Sequence, residues 1–259
     1  VSLVITTYNR PDALLLVLRS IKGQMTLPDE VIIADDGSDS ESQKLVTDFR
    51  QSSNLNIIHS WQEDKGFRAA KSRNKAISKS NFDYIVLIDG DMILHPEFIN
   101  DHINNAQPSY FAQGSRVLLT QDKTKQALNQ QKINFSLLSN GLQNRKNAFH
   151  SNILSKLFSN KRNYLRGIRT CNMAFYKEDC ININGFNNEF EGWGREDSEF
   201  ITRLLNSGIN RKNVRFNAIQ FHLWHNENIR DSLEKNNAIL QDTINNHTQW
   251  CNNGIDNYL

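Results

Sequence analysis

Residues 84–96 read YIVLIDGDMILHP, and this stretch decides the fold. Its first part, Tyr84–Ile88, is an uninterrupted apolar run, which is typical of a strand buried on both faces of a parallel sheet. Asp89 and Asp91 follow directly, separated by one glycine. Carboxylates are the ligands that Mg²⁺ and Mn²⁺ prefer, so this strand end is a candidate metal site. A solvated turn is the alternative, because Asp and Gly are common turn residues.

Strand and helix patterns alternate on both sides of this stretch. Val1–Thr7, Glu30–Ser38 and Leu55–Trp61 have the β-rich composition of strands, and helical apolar spacing separates them. This succession predicts an α/β fold with a mainly parallel, Rossmann-like sheet flanked by helices. Because ligands bind at the carboxyl ends of such strands, the polar groups there should share one rim. These groups are Thr6, Thr7 and Asn9, then Asp35, Asp36 and Ser38, and finally Asp89 and Asp91.

The second half of the chain has a less regular pattern. Thr120–Thr170 is rich in Asn, Gln and Lys with weak helical periodicity, which indicates an inserted helical or irregular segment. Strand and helix patterns resume at Asn172, and an amphipathic helix is predicted from Arg230. Without an internal repeat or a linker-like stretch, the chain is predicted to form a single domain.

Composition excludes several classes of protein. The 30 basic and 28 acidic residues give a net charge of +2, which does not favour nucleic-acid binding. The 3 cysteines lack a CxxC pair, so a reducing, cytoplasmic compartment is expected. No apolar stretch approaches the ~20 residues needed to span a bilayer. The sequence opens inside a β-rich run and leaves targeting undetermined.

A basic helix is predicted to follow Gly66. Arg68, Lys71 and Lys75 recur at helical spacing, whereas Arg73 lies off that row. A glycine-led helix start with cations nearby suits a diphosphate, although a solvated basic face is the commoner explanation of such a pattern.

Phe190–Phe200, FEGWGREDSEF, contains a second candidate site. Trp193 lies between two glycines and is expected at an exposed turn, where an aromatic ring can pack against a sugar. Glu196 and Asp197 open a helix, either as first-turn carboxylates or as an acceptor-binding and proton-accepting pair.

Two histidines three residues apart, His222 and His225, extend the list of candidate metal ligands. They would face opposite sides of a strand but the same side of a helix. One of them could complete a metal site with the aspartates.

Several motifs together resemble the family 2 glycosyltransferases, which have the GT-A fold. They are VITTYNRP (4–11), DDGS (35–38), SRNKAI (72–77) and DGD (89–91). Residues 172–200 are similar to the acceptor-side motif of β-1,4-galactosyltransferases and bacterial chondroitin-type polymerases. The middle insertion and the C-terminal tail lie outside the resemblance. Arg195 stands where these relatives often have a small residue, so donor and acceptor preference cannot be transferred.

The resemblance implies a donor site for a UDP-sugar. Thr7 and Asp35 correspond to positions that hold the uracil and its ribose. Asp89 would contact the ribose or the metal, and Asp91 would bind a Mn²⁺ or Mg²⁺ ion with His222, or with His225 as the alternative ligand. The donor-binding residues are expected to be Thr7, Asn9, Arg10, Asp35, Asp36, Arg68, Lys71, Asp89 and Gly90.

The resemblance also implies an acceptor site and a reaction. Trp193 would stack on a saccharide or glycolipid acceptor, beside Gly194, Arg195 and Glu196, and Asp197 would act as general base. The expected activity is an inverting transfer that forms a β-glycosidic bond in surface polysaccharide or lipooligosaccharide synthesis. Such an enzyme would work in the cytoplasm, with peripheral contact at the inner face of the membrane.

The expected division of the single domain follows from these roles. Residues 1–119 would bind the nucleotide-sugar, 120–170 would be inserted, 171–226 would form the acceptor and catalytic half, and 227–259 the C-terminal helix and tail. The oligomeric state is left open.

Two alternatives remain at this point. A sugar-phosphate nucleotidyltransferase would carry a glycine-rich basic loop after the first strand, where this chain has TTYNRP instead. A catalytically inactive module that binds a nucleotide or a sugar is disfavoured by the joint presence of Asp89, Asp91, Asp197 and the two histidines.

Overall fold

The structure is a computed structural model that describes residues 1–226 and 231–259. Within them the strands form two sheets, one of eight strands and one of four. The strands are β1 (Ser2–Thr7), β2 (Glu30–Asp35), β3 (Ile57–Trp61), β4 (Tyr84–Asp89), β5 (Met92–Leu94), β6 (Tyr110–Gln113), β7 (Arg116–Leu119), β8 (Leu142–Gln143), β9 (Asn160–Lys161), β10 (Asn172–Tyr176), β11 (Asn210–Asn213) and β12 (Gln220–His222).

Helices cover both faces of the larger sheet, as the sequence predicts. They are α1 (Pro11–Lys22), α2 (Ser40–Ser52), α3 (Ala69–Ser78), α4 (Phe98–Asn105), α5 (Gln121–Gln130), α6 (Asn152–Phe158), α7 (Lys177–Asn182), α8 (Glu196–Asn206) and α9 (Leu233–Asn245). One apolar core lies between the sheet and α1, α2 and α4, and another lies between the sheet and α3, α7 and α8. Residues alternate between the cores: Leu3 and Ile5 enter the first, and Val4 enters the second.

The larger sheet has the strand order β3-β2-β1-β4-β10-β6-β11-β9. Its first four strands are parallel. β1, β2 and β4 are almost fully apolar at their centres because helices bury both faces of these strands. This half of the sheet confirms the α/β prediction made from the apolar runs.

The other half of the sheet departs from a simple parallel arrangement. β10 is antiparallel to both β4 and β6, β11 is parallel to β6, and β9 is antiparallel to β11. A second sheet, in the order β5-β12-β7-β8, was not predicted. Its strands have two to four residues, which is too short for an alternating pattern to emerge from the sequence.

The inserted segment and the C-terminal helix also have defined bounds. Within residues 120–170, α5 and α6 are joined by short irregular stretches, the strand β8 and a 3₁₀ turn at Arg145–Ala148. The C-terminal helix begins at Leu233, three residues after its predicted start at Arg230, which itself lies outside the described residues. Among the helices that the structure describes, none is both long and apolar enough to cross a bilayer.

Candidate active site

The carboxyl ends of three parallel strands meet on one rim of the larger sheet. Thr6 of β1 is in register with Asp89 of β4, and Thr7 is in register with Asp35 of β2. Gly90 follows Asp89 and donates its backbone N–H to the Thr6 carbonyl at 2.7 Å. A Cβ at position 90 would lie 2.8 Å from the Thr7 hydroxyl oxygen, so the strand ends can approach this closely because the residue is glycine.

A three-residue group next to this rim could hold a metal ion. Asp91 Oδ2 lies 3.3 Å from His222 Nε2 and 3.4 Å from His225 Nε2. One ligand atom from each residue lies within 4.8 Å of the others. Because β12 ends at His222, the chain leaves the strand before His225, and both imidazoles reach the same carboxylate. Both histidines therefore face Asp91.

The charge on Asp91 is favoured by its neighbours. Burial alone would raise the pKa of Asp91, but the two imidazoles and the Arg10 guanidinium outweigh that effect and lower it. Arg10 lies within 3.4 Å of the Asp12 carboxylate. The second oxygen of Asp91, Oδ1, is buried without a hydrogen-bond partner among the described residues.

Asp89, also predicted as a metal ligand, lies outside this three-residue group. Its Oδ1 is 3.5 Å from Nη2 of Arg73. Burial raises the pKa of Asp89 to about 6, against the opposing effect of Arg73, and the Asp91 and Asp197 carboxylates raise it further. In this structure the two aspartates of the DGD motif have different partners, a guanidinium for Asp89 and two imidazoles for Asp91.

Arg73 connects this rim of the larger sheet to the proposed catalytic carboxylates. Its Nη1 lies 3.2 Å from Glu196 and 3.3 Å from Asp197, and its Nε donates to the Thr6 hydroxyl at 3.1 Å. Burial opposes the charge on Arg73, yet the surrounding carboxylates, Asp197, Glu196 and Asp89, raise its pKa above the ordinary value. Arg73 is therefore a permanent cation, only 5% exposed, that contacts one hydroxyl and three carboxylates.

The two carboxylates at the start of α8 have unequal surroundings. Burial and the neighbouring Asp197 raise the pKa of Glu196 to about 7, against the lowering effect of Arg73. Asp197 is more accessible and accepts hydrogen bonds from the Thr170 backbone at 2.9 Å and the Thr170 hydroxyl at 2.7 Å. These bonds orient the Asp197 carboxylate.

The predicted donor residues on β2 are held by other parts of the chain. Asp35 is fully buried and accepts from the Ser38 backbone and from His59 Nε2, each at 2.8 Å. Burial raises the pKa of Asp35, but these bonds lower it overall. Asn9 has a left-handed backbone, accepts from the Asp39 backbone, and donates its own N–H to Ser38. Their contact with a nucleoside stays a prediction.

Asp36 is tied to the start of α3 instead of facing open space. It accepts from Gln62 Nε2 and from the Arg68 backbone, both at 2.6 Å. Burial raises the pKa of Asp36 despite these bonds. Arg68 donates to the Glu63 carbonyl, and Lys71 is half-buried on the helix face that follows. Phosphate contact by Arg68 and Lys71 stays a prediction.

The predicted acceptor loop has an unusual backbone. Gly192, Gly194 and Arg195 have φ values of 74°, 106° and 78°, which place Trp193 between left-handed residues. The Trp193 side chain is 37% exposed, in agreement with the expected exposed turn. Glycine makes this conformation accessible, whereas Arg195 adopts it at a steric cost.

The C-terminal helix holds this loop in place. Asn236 on α9 is fully buried and donates to the Gly194 carbonyl at 2.9 Å and to the Glu191 carbonyl at 3.3 Å. Arg195 donates to Asn237 Oδ1 at 2.6 Å. The tail beyond the predicted site therefore shapes the acceptor loop.

Three residues around the site were not predicted: Arg73, Thr170 and Asn236. Arg73 had a detectable signal, because it shares one helix face with Ala69, Ala76 and Ile77, at i−4, i+3 and i+4 from it. Thr170 and Asn236 had none, since their roles depend on contacts between distant segments.

Comparisons with known proteins agree with the fold. The model of "Glycosyl transferase family 2" matches residues 2–182, and that of "N-terminal domain of galactosyltransferase" matches residues 152–226. The second match covers the acceptor loop, Asp197 and both histidines.

Three individual proteins show the extent of the similarity. Hyaluronan synthase of Pasteurella multocida is 28% identical over 80% of this chain and 23% of its own length. Chondroitin synthase of Escherichia coli is 27% identical over 85% of this chain and 34% of its own length. The structure of S. aureus TarS 1-349 in complex with UDP has a TM-score of 0.59 and 16% identity, covering 92% of this chain and 63% of that one.

The coverages limit the similarity to part of each relative's length. The chain spans about a quarter to a third of the two synthases that it resembles, and its fold is that of TarS. A family model that matches residues 2–182 covers more than half of the 259 residues. The chain therefore belongs to glycosyl transferase family 2.

Proposed function

We propose that the protein is an inverting, metal-dependent glycosyltransferase that moves a sugar from a UDP-sugar to a hydroxyl group of a saccharide or glycolipid acceptor. The observation that carries this proposal is the position of Asp197. Its carboxylate is oriented by Thr170 and linked through Arg73 to Asp89, at the end of the strand that leads to Asp91 and the two histidines. A proton acceptor and a candidate metal group therefore border one rim.

The residues present fit a divalent cation. Asp91 offers a buried oxygen that lacks a hydrogen-bond partner among the described residues, and His222 and His225 offer imidazole nitrogens within 4.8 Å. A mixed oxygen and nitrogen ligand set favours Mn²⁺ over Mg²⁺, which prefers oxygen alone. A bound cation would stabilise the negative charge on the departing nucleoside diphosphate.

The chain's own residues supply the proton transfer and the orientation of the acceptor. In the proposed step, Asp197 takes the proton of the acceptor hydroxyl while that oxygen bonds to the anomeric carbon. The bond between that carbon and the diphosphate oxygen breaks, and the diphosphate leaves. One in-line displacement inverts the anomeric centre, so an α-linked donor gives a β-glycoside. Glu196, with its raised pKa, would hydrogen-bond the acceptor beside Trp193.

The comparisons support the type of donor and product. The TarS structure, similar in fold, is a complex with UDP, and the two related synthases are named for hyaluronan and chondroitin. We propose a nucleotide-sugar donor and a role in polysaccharide or glycolipid synthesis on this basis. The remaining predicted contacts, from Thr7, Asn9, Arg10, Asp35, Asp36, Arg68 and Lys71, belong to the same proposal.

A panel of UDP-sugars tests the proposal. We expect Mn²⁺-dependent release of UDP from at least one of them, and NMR of a product formed with a saccharide acceptor should show a β-linkage. Asp91→Asn should abolish the effect of Mn²⁺ on UDP binding, measured by calorimetry. Retained anomeric configuration, or UDP binding that is the same in Mn²⁺ and in chelator, would contradict the mechanism.

A further inference from the structure

The short helix α6 buries a polar side chain and exposes apolar ones, which is the opposite of the usual arrangement of a surface helix. Ser155 is buried, whereas Ile153 and Leu157, one turn apart on the helix, are 75% and 70% exposed. Phe158 at the end of the helix is 52% exposed. A surface helix normally buries its apolar side chains, so an outward apolar face indicates a binding surface.

Other aromatic residues extend this exposed face beyond α6. The rings of Phe149 and Phe158 lie 6.2 Å and 5.8 Å from that of Phe216, which reaches the surface from the loop before β12. Backbone hydrogen bonds hold the arrangement together, since Ser151 donates to the Phe216 carbonyl at 2.9 Å. Phe149, Ile153, Leu157, Phe158 and Phe216 form what we call the α6 patch.

The segment of the chain that contains α6 is strongly basic. No Asp or Glu occurs between Lys123 and Lys177, a stretch that includes α6. Its basic residues are Lys123, Lys125, Lys132, Arg145, Lys146, Lys156, Lys161, Arg162, Arg166, Arg169 and Lys177. Arg215, which precedes the last aromatic residue of the patch, places its guanidinium 5.7 Å from that ring. This concentration of charge contrasts with the net charge of +2 for the whole chain.

We propose that the α6 patch docks on an anionic lipid membrane, with its apolar side chains in the interface and the basic side chains against the headgroups. Exposed aliphatic and aromatic groups beside Lys and Arg are the combination that partitions into such interfaces. A purely apolar protein partner would not require the basic surroundings. The basic side chains attract negative charge, so an anionic membrane is the partner that the charge distribution favours.

The patch is connected to the candidate active site at both ends. The basic segment contains Thr170, whose backbone and hydroxyl hold Asp197. On the other side, Phe216 leads along the chain to β12 and His222. A membrane bound at α6 would therefore contact segments that continue directly into residues of the candidate active site.

Vesicle binding tests the proposal directly. The full chain is mixed with phosphatidylcholine vesicles that either contain or lack phosphatidylglycerol, and the bound fraction is measured by sedimentation. We expect binding to the anionic vesicles that weakens as salt is raised, because each basic side chain near an anionic surface contributes about fivefold to partitioning. Absence of binding to the anionic vesicles would overturn the proposal.

Two sets of variants locate the surface. Ile153→Ser with Leu157→Ser, and separately Lys156→Glu with Lys161→Glu, should each reduce the vesicle partition coefficient by about tenfold or more. The matched controls are Met25→Ser with Leu27→Ser, and Lys22→Glu with Lys44→Glu, which change exposed residues far along the chain. Equal loss in the controls, or none in the α6 variants, would contradict the assignment.

Size measurements and activity separate this proposal from the other occupants and from the proposed function. If the α6 variants instead convert a dimer to a monomer and leave vesicle binding unchanged, the patch joins copies of this chain and the proposal fails. Transfer to a water-soluble acceptor should be retained in the α6 variants, and transfer to a lipid-linked acceptor in vesicles should be lost. The activity arm rests on the proposed function, whereas the sedimentation arm does not.

Discussion

Nη1 of Arg73 lies 3.3 Å from Oδ1 of Asp197, although 124 positions separate the two residues in the chain. This contact joins a helix of the N-terminal half to the first turn of α8. Because Arg73 also contacts Glu196 and Asp89, its removal would leave several carboxylates close together without a counter-charge.

Replacement of the buried Arg73 should destabilise the fold more than replacement of a half-buried neighbour on the same helix. We expect Arg73→Met to lower the free energy of unfolding by about 3 kcal/mol, because one buried and two half-buried carboxylates lose their partner. Lys71→Met, on the same helix but half-buried, is the matched control and should cost less than about 1 kcal/mol. Urea unfolding measures both, and equal effects would show that the Arg73 contacts carry little energy.

Asp197→Asn should remove transfer activity while UDP affinity stays nearly unchanged. A general base contributes about 10²–10⁴-fold to the rate, and an amide cannot accept the proton. Single-turnover kinetics measure the loss, and calorimetry with UDP and Mn²⁺ provides the control. A parallel loss of UDP binding would point to a structural role for this carboxylate.

Glu196 should make stability fall as pH rises toward neutrality. Its pKa is raised in the folded state from the ordinary 4.5 to about 7, so the folded protein holds the proton more strongly than the unfolded chain does. The stabilisation is complete below about 4.5 and is lost progressively as pH rises through about 7.

Thermal unfolding of Glu196→Gln against the wild type measures this effect. The variant cannot ionise, so its Tm relative to the wild type should increase between pH 4.5 and pH 7. Glu178→Gln, at an exposed position, should show no such trend. A Tm difference that does not vary with pH would refute the assignment to Glu196.

Trp193→Ala should weaken acceptor binding more than donor binding. Loss of ring contact with a sugar is expected to raise the acceptor KM by about tenfold, with a smaller change in the donor KM. Trp250→Ala is the matched control, because Trp250 is comparably exposed but distant in the sequence from the acceptor loop. Steady-state kinetics with both substrates varied give the two constants, and an effect confined to the donor would contradict the stacking role.

Much of the parallel half of the larger sheet could be predicted because its signals are local. β1, β2 and β4 have continuous apolar sequences since helices cover both of their faces, and their ends converge by topology. The bounds of β12 could not be predicted, because three residues carry too little pattern to define them. The second sheet could not be predicted for the same reason.

The contacts that organise the site were less accessible to sequence reasoning. The spacing of Arg68, Lys71 and Lys75 indicated a basic face on the outer side of α3. Arg73, the cation that contacts Asp197, lies on the opposite, buried side. Thr170 and Asn236 are ordinary polar residues in sequence, and pairing across the fold gives them their partners.

The chain passes from the larger sheet to the smaller one within the DGD motif. Asp89 ends β4 in the first sheet, Met92 begins β5 in the second, and His222 comes from β12, the partner of β5. Joining Asp91 to His222 closes a long loop, and such long-range contacts cost conformational entropy and slow folding. The candidate metal group is therefore complete only when both sheets have formed, so a cation that binds there would bind the folded chain and not partly folded chains.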